Sequence, residues 1–205
     1  MGNDADCGVR FGKQRARGKA LLETSELIFR SADGAFRFQI AFSSIQSAKV
    51  ARGELRLQTS DGLAVFELGA AAEKWCKKIL HPKTRMEKLG IKPDAVVSLV
   101  GDFDAQFRAE LQRCTKTVTT GRVIANSAWI FFAVSSSHEL PRISKLAKSV
   151  KGAAALWVVY PKGQKPLSEN AVLGAGRKAG LRDVKVVGFS LTHTALKFVL
   201  PLERR

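Results

Sequence analysis

A chain of 205 residues that is 45% hydrophobic and 25% charged has the composition of a globular protein of one large or two small domains, which excludes intrinsic disorder. Its 34 Lys+Arg against 18 Asp+Glu leave a net charge of +16, a field that favours anionic partners. The longest apolar runs, AWIFFAV and AAALWVVY, are too short to cross a bilayer, and the N-terminal stretch lacks the apolar core of a secretory signal. Three scattered cysteines, Cys7, Cys76 and Cys114, form no zinc-type cluster, so a reducing cytoplasm and no metal are expected.

Residues 1–17 are expected to form a flexible basic N-terminus. Residues 18–82 read as a small β domain, with a pattern of period two from Ala20 to Leu68. AFRFQIAF sets Phe36, Phe38, Ile40 and Phe42 on one face, ELRLQ repeats the alternation with Leu55 and Leu57, and AVFEL with Ala64, Phe66 and Leu68. Asp33-Gly34, Arg52-Gly53 and Asp61-Gly62 supply tight turns, predicting a meander of about six antiparallel strands. The period then lengthens. Ala72, Trp75, Cys76 and Ile79 fall on one helical face opposite Lys74, Lys77 and Lys78, and Pro82 ends the helix near His81.

A small antiparallel barrel or meander capped by one helix resembles a pleckstrin-homology-like domain. Lipid-binding members of that superfamily hold phosphoinositides with a basic first hairpin. The candidate hairpin here, near Glu23 to Glu26, is acidic, which argues against phosphoinositide binding.

Residues 83–93 read as a linker, and 94–202 as an α/β domain. Apolar runs at Ala95–Val100, WIFFAVSS and ALWVVY alternate with helical patterns, which predicts a mainly parallel sheet. VKVVGFS and HTALKFVL are separated by too few residues for a crossover and predict a closing antiparallel hairpin, making a Rossmann-like mixed sheet. Asp102 reads as a helix N-cap, Ser168 as another, and Gly180 as a helix stop. KLGIKPDAVVSLVG, WIFFAVSSSHEL, AAALWVVYPKG and AGLRDVKVVGFSLTHTALKFV together resemble an uncharacterised bacterial family, domain of unknown function thirty fifty-two, over Glu87 to Pro201. The resemblance implies a Rossmann-like fold and no assigned reaction. The end of this region is also similar to the end of class I methyltransferases.

A methyltransferase of that class binds S-adenosylmethionine in a glycine-rich turn after its first strand. LVGDFDAQF has only Gly101, with Phe103 where the turn should stay open, and TKTVTTGRVIANSA offers no acid for the ribose hydroxyls. No cofactor is therefore expected. Serines 135–137 lack a nucleophile elbow, so a hydrolase is not expected, and His193 reads as an ordinary strand residue. The stretch LWVVYPKGQKP instead suggests an anion site at a strand's carboxyl end, built from Lys162, Lys165, Ser168, Ser136 and His138.

The chain thus reads as a non-enzymatic binding or scaffold protein whose partner is a protein or an anionic small molecule. A diverged methyltransferase-like enzyme is the alternative, and non-specific nucleic-acid binding at low salt a further one.

Overall fold

The computed structural model describes residues 3–204. The chain divides into two compact units, Met1–Lys83 and Thr84–Arg205. The first is an antiparallel sheet of β1 (Asn3–Phe11), β2 (Gln14–Leu22), β3 (Glu26–Ser31), β4 (Arg37–Ala41), β5 (Ile45–Ala51), β6 (Glu54–Thr59) and β7 (Gly62–Glu67). In the order β4-β3-β2-β1-β7-β6-β5 it curls into a half-barrel. Arg52 and Gly53, both at positive φ, make the two-residue turn between β5 and β6. Inside lie Leu27, Phe29, Leu55, Leu57 and Phe66. Helix α1 (Ala71–Leu80) packs on β5 and β6 through the face holding Ala72, Trp75, Cys76 and Ile79.

Two expectations need correction here. Residues 1–17 are not a flexible tail across the described part, because β1 and the first half of β2 occupy it. Cys7 and Val9 are buried, but Asp4, Asp6, Gly8 and Arg10 alternate with the inward residues and mask the apolar period. The acidic turn at Glu23–Glu26 joins β2 to β3, so it is the second hairpin. The first turns at Gly12-Lys13 and is flanked by Arg10 and Arg15, so the argument against phosphoinositide binding lapses.

The second unit runs α2 (Arg85–Leu89), β8 (Val96–Val100), α3 (Ala105–Cys114), β9 (Thr117–Thr120), β10 (Trp129–Ala133), α4 (Arg142–Ala147), β11 (Ala155–Pro161), α5 (Glu169–Lys178), β12 (Arg182–Gly188) and β13 (His193–Val199). Its sheet has the order β12-β13-β11-β10-β8-β9. β11, β10, β8 and β9 are parallel, and β13 enters antiparallel between β11 and β12. Apolar residues fill both faces, which is why β11 is buried from Ala155 through Tyr160 without alternation. One face carries Phe103, Phe107, Phe131, Trp157 and Phe189; the other carries Phe132, Val158, Val172 and Phe198.

The segment 83–93, expected as a linker, contains α2. Thr84 and Glu87 form a reciprocal capping box, and Gly90 ends the helix at φ 75°. Arg85 then reaches α3. Its Nε and Nη2 donate to the two Glu110 carboxylate oxygens at 2.9 Å each, and its guanidinium lies 5.0 Å from the Phe107 and Phe189 ring centres. The linker expectation failed because a short helix stabilised by one cap and one ion pair has almost no apolar period.

Gly176 lets α5 approach the sheet. A Cβ there would stand 2.1 Å from Phe198, whose ring is fully buried, whereas a Cβ on Gly174 would meet nothing. Gly176→Ala is expected to lower stability by about 1–3 kcal/mol through overpacking. Gly174→Ala should raise it by up to about 1 kcal/mol through helix propensity. Urea midpoints at unchanged slope measure both.

The Arg85 guanidinium holds the Glu110 carboxyl below its ordinary value. A lowered folded pKa gives stabilisation that is complete above the unfolded value, about 4.3, and lost as pH falls through the folded one. Glu110→Gln should therefore be less stable than the parent at pH 7, by about 1 kcal/mol after solvent screening. The gap should shrink as the medium is acidified through that range, as read from urea midpoints at neutral and acid pH.

Candidate functional site

In open α/β sheets ligands gather outside the strands' carboxyl ends, where the chain order reverses. Here that point lies between β8, whose crossover leads outward to β9, and β10 on its other side. β8 is followed by Gly101, at φ 90°, where an added Cβ would stand 2.7 Å from the Ala133 carbonyl oxygen. The two strand ends thus touch through backbone, and beyond them opens a cleft of about 800 Å³.

The wall comes from four places in the sheet. After β8 come Gly101, Asp102, Phe103 and Asp104; after β10, Ala133 to Ser135 and Glu139; after β11, Pro161 and Gln164; before β13, Phe189, Ser190, Thr192 and His193. Arg85 and Gln106 complete it. Asp104, not Asp102, caps α3: its Oδ1 accepts from the Phe107 amide at 2.6 Å. The cap lies two residues later than expected because Phe103 first turns into the aromatic core, against Phe107, Phe131 and Phe189. Asp102 is left exposed on the cleft wall.

The residues expected to hold an anion do not converge. The Lys162 ammonium donates to the Ser190 and Leu191 carbonyls at 2.8 and 3.2 Å, and its amide donates to Thr192 at 2.8 Å. It ties down the loop between β12 and β13. Lys165 is exposed in a 3-10 turn, Lys165–Leu167, and neither lysine lines the cleft. Ser168 caps α5, accepting from the Ala171 amide at 3.3 Å. His138 is exposed in the turn Ser137–Glu139.

Ser135 and Ser136 do bind an anion, but it is the protein's own. Glu139 Oε2 accepts from the Ser135 amide at 2.8 Å, the Ser135 hydroxyl at 2.9 Å and the Ser136 amide at 3.3 Å. These bonds, led by the Ser135 amide, hold the Glu139 carboxyl below its usual range despite partial burial.

The cleft's charge is therefore opposite to the expectation. Asp102, Asp104 and Glu139 face one guanidinium, Arg85, which Glu110 already clamps and Asp104 approaches at 3.7 Å. His193 adds a half-buried imidazole whose Nδ1 lies 2.9 Å from the Thr192 hydroxyl. Sequence reasoning placed His193 in a strand and passed over Arg85 and Thr192. The usable signal was position, since residues opening an antiparallel strand at a parallel sheet's carboxyl edge necessarily face the crevice.

An adenosine-bearing cofactor fits poorly. No β9 residue lines the cleft, and the stretch after β9 carries Gly121 and Arg122 where a ribose-gripping carboxylate would belong.

The sequence matches no protein-family profile and no curated protein. Among solved structures, the pyocyanin biosynthetic protein PhzM aligns at 10% identity over 64% of this chain and 59% of that one, with a TM-score of 0.43. A SAM-dependent O-methyltransferase from Thermotoga maritima aligns at 10% identity over 87% and 94%, with a TM-score of 0.41. The C-terminal domain of an unknown protein from Leishmania infantum aligns at 14% identity over 35% and 72%, with a TM-score of 0.31.

Proposed function

We propose that the chain is a binding protein whose second unit, a Rossmann-like domain, holds a compact cationic or hydrogen-bond-donating small molecule in the carboxyl-edge cleft. The observation that carries this reading is the Asp102 carboxylate. It is exposed on the wall and forms no salt bridge among the described residues, while the nearby cations are engaged elsewhere: Arg85 by Glu110, Lys162 by two carbonyls. An ammonium or guanidinium seated beside Asp102 would gain a charge-assisted hydrogen bond. Gln106, Gln164 and Thr192 supply neutral polar contacts, and Phe189 an apolar wall. This replaces the anionic ligand expected from the lysines. The layout of the first unit, seven antiparallel strands and a C-terminal helix, supports a pleckstrin-homology-like reading of it.

A second reading, a diverged S-adenosylmethionine-dependent enzyme, is favoured by one feature. The cleft sits at the switch point between β8 and β10, beside a glycine that brings the backbone close.

The test is a thermal-shift screen with small amines, guanidines and phosphate-bearing compounds, backed by native mass spectrometry for a co-purified ligand. A cationic hit at about 100 times its Kd should stabilise the parent by about 2.7 kcal/mol, and Asp102→Asn should lose that shift while melting normally without ligand. Stabilisation by phosphate compounds alone would overturn the proposal. Calorimetry with S-adenosylmethionine is expected to show no binding in the micromolar range, and binding there would favour the second reading.

A further inference from the structure

The outward face of the first unit's sheet is set by the residues that alternate with its core. On β2, Ala16, Gly18 and Ala20 turn inward, so Arg15, Arg17 and Lys19 stand outward and exposed. The register sets Lys19 opposite Arg30 on β3, and Arg30 opposite Arg37 on β4. Side chains so opposed have Cβ atoms about 4.5–5.5 Å apart, and like charges there repel. Lys19 is relieved by Asp4 at 2.6 Å. Arg15, Arg17, Arg30 and Arg37 form no salt bridge among the described residues. Gly8, opposite Arg17, has no side chain, and the Glu67 carboxylate fills the space over it; a groove of about 360 Å³ lies between Arg10, Arg15, Arg17 and Glu67. Glu54 pairs with Arg10, and Asp6 stands outward on β1 opposite Lys19.

We propose that this face binds the phosphate backbone of a nucleic acid duplex. Guanidiniums are planar forks that match phosphate oxygens, and these four have no salt-bridge partner among the described residues. They spread over β2, β3 and β4 rather than converging on one loop, which suits a row of phosphates better than a single headgroup. Phe29, Phe36, Phe38 and Phe66 stack on one another and on the core, so this face has no aromatic platform for unstacked bases. A duplex keeps its own bases stacked and presents phosphates outward. Among the described residues the large exposed apolar ones of this unit, Leu63 and Leu80, lie on β7 and at the end of α1, and the outward Leu21 and Ile28 of β2 and β3 are half-buried, so no protruding apolar wedge accompanies the arginines for a membrane. Binding of this kind is independent of base sequence.

The experiment is fluorescence anisotropy of the full chain with a labelled duplex of about 20 base pairs, between about 50 and 200 mM salt. One variant carries Arg17→Gln, Arg30→Gln and Arg37→Gln. A charge-matched control carries Lys145→Gln, Lys148→Gln and Lys151→Gln in the second unit. The arginine variant should bind at least about tenfold more weakly at low salt, and its log K against log salt should be shallower by about 0.9 per lost contact, about 3 in all. The control should keep the parent's slope. The arginine variant should melt no lower than the parent, because repulsion across Arg30 and Arg37 is removed. Equal losses in both variants would assign binding to the diffuse charge of the whole chain and overturn the proposal. So would a parent that ignores the duplex, or one that binds phosphatidylserine vesicles in preference to it.

Discussion

The close approach of two strand ends governs the second unit. Where β8 leaves the sheet, Gly101 lies so near Ala133 that a methyl group would strike the carbonyl oxygen. The positive φ turns the chain sharply, Phe103 drops into the aromatic core, and Asp104 can then begin α3. Any side chain at Gly101 would spread the ends of β8 and β10. That displacement would move Asp102 and Ser135, which flank the cleft, and loosen the Phe103–Phe131 contact beneath it. Glycine is therefore needed for conformation and for space at once.

The cleft also shows how a fold disposes of its own charges. A strand end rich in free amides and hydroxyls attracts an anion, and here Glu139 is that anion, four residues after Ser135. A lysine after a central strand attracts an acceptor, and Lys162 finds two carbonyls on the next loop. Both groups look like ligand-binding chemistry in sequence. Both are internal fastenings in the fold, where the partner is supplied at high effective concentration by the chain itself.

This explains what the sequence disclosed. Period-two alternation exposed the strands from β3 through β7, and the unbroken apolar run exposed β11, because burial on one face or two writes directly into residue type. β1 and the first half of β2 were hidden because charged residues interrupt the first and the inward residues of the second, Ala16 and Gly18, are too small to mark a face. The position of the cleft was legible from strand–helix alternation alone. Its sign was not. That depends on which cations are tied off, and the pairs concerned, Arg85 with Glu110 and Lys162 with Ser190, are separated by 25 and 28 residues. Local patterns carry no trace of such partners.

The two units use charge in opposite ways. Total charge of +16 suggests a uniformly anion-seeking molecule, yet the charged side chains lining the second unit's cleft are Asp102, Asp104 and Glu139 against Arg85 alone. Screening reconciles these facts. At physiological ionic strength the Debye length is about 8 Å, so distant surface lysines contribute little inside the cleft, where the low-dielectric wall strengthens the adjacent Asp102 and Asp104. On the open face of the first sheet the reverse holds: each arginine is solvated, and only several acting together on a polyanion release enough counterions to matter. Local pairing, and not the sum of charges, decides what each surface attracts.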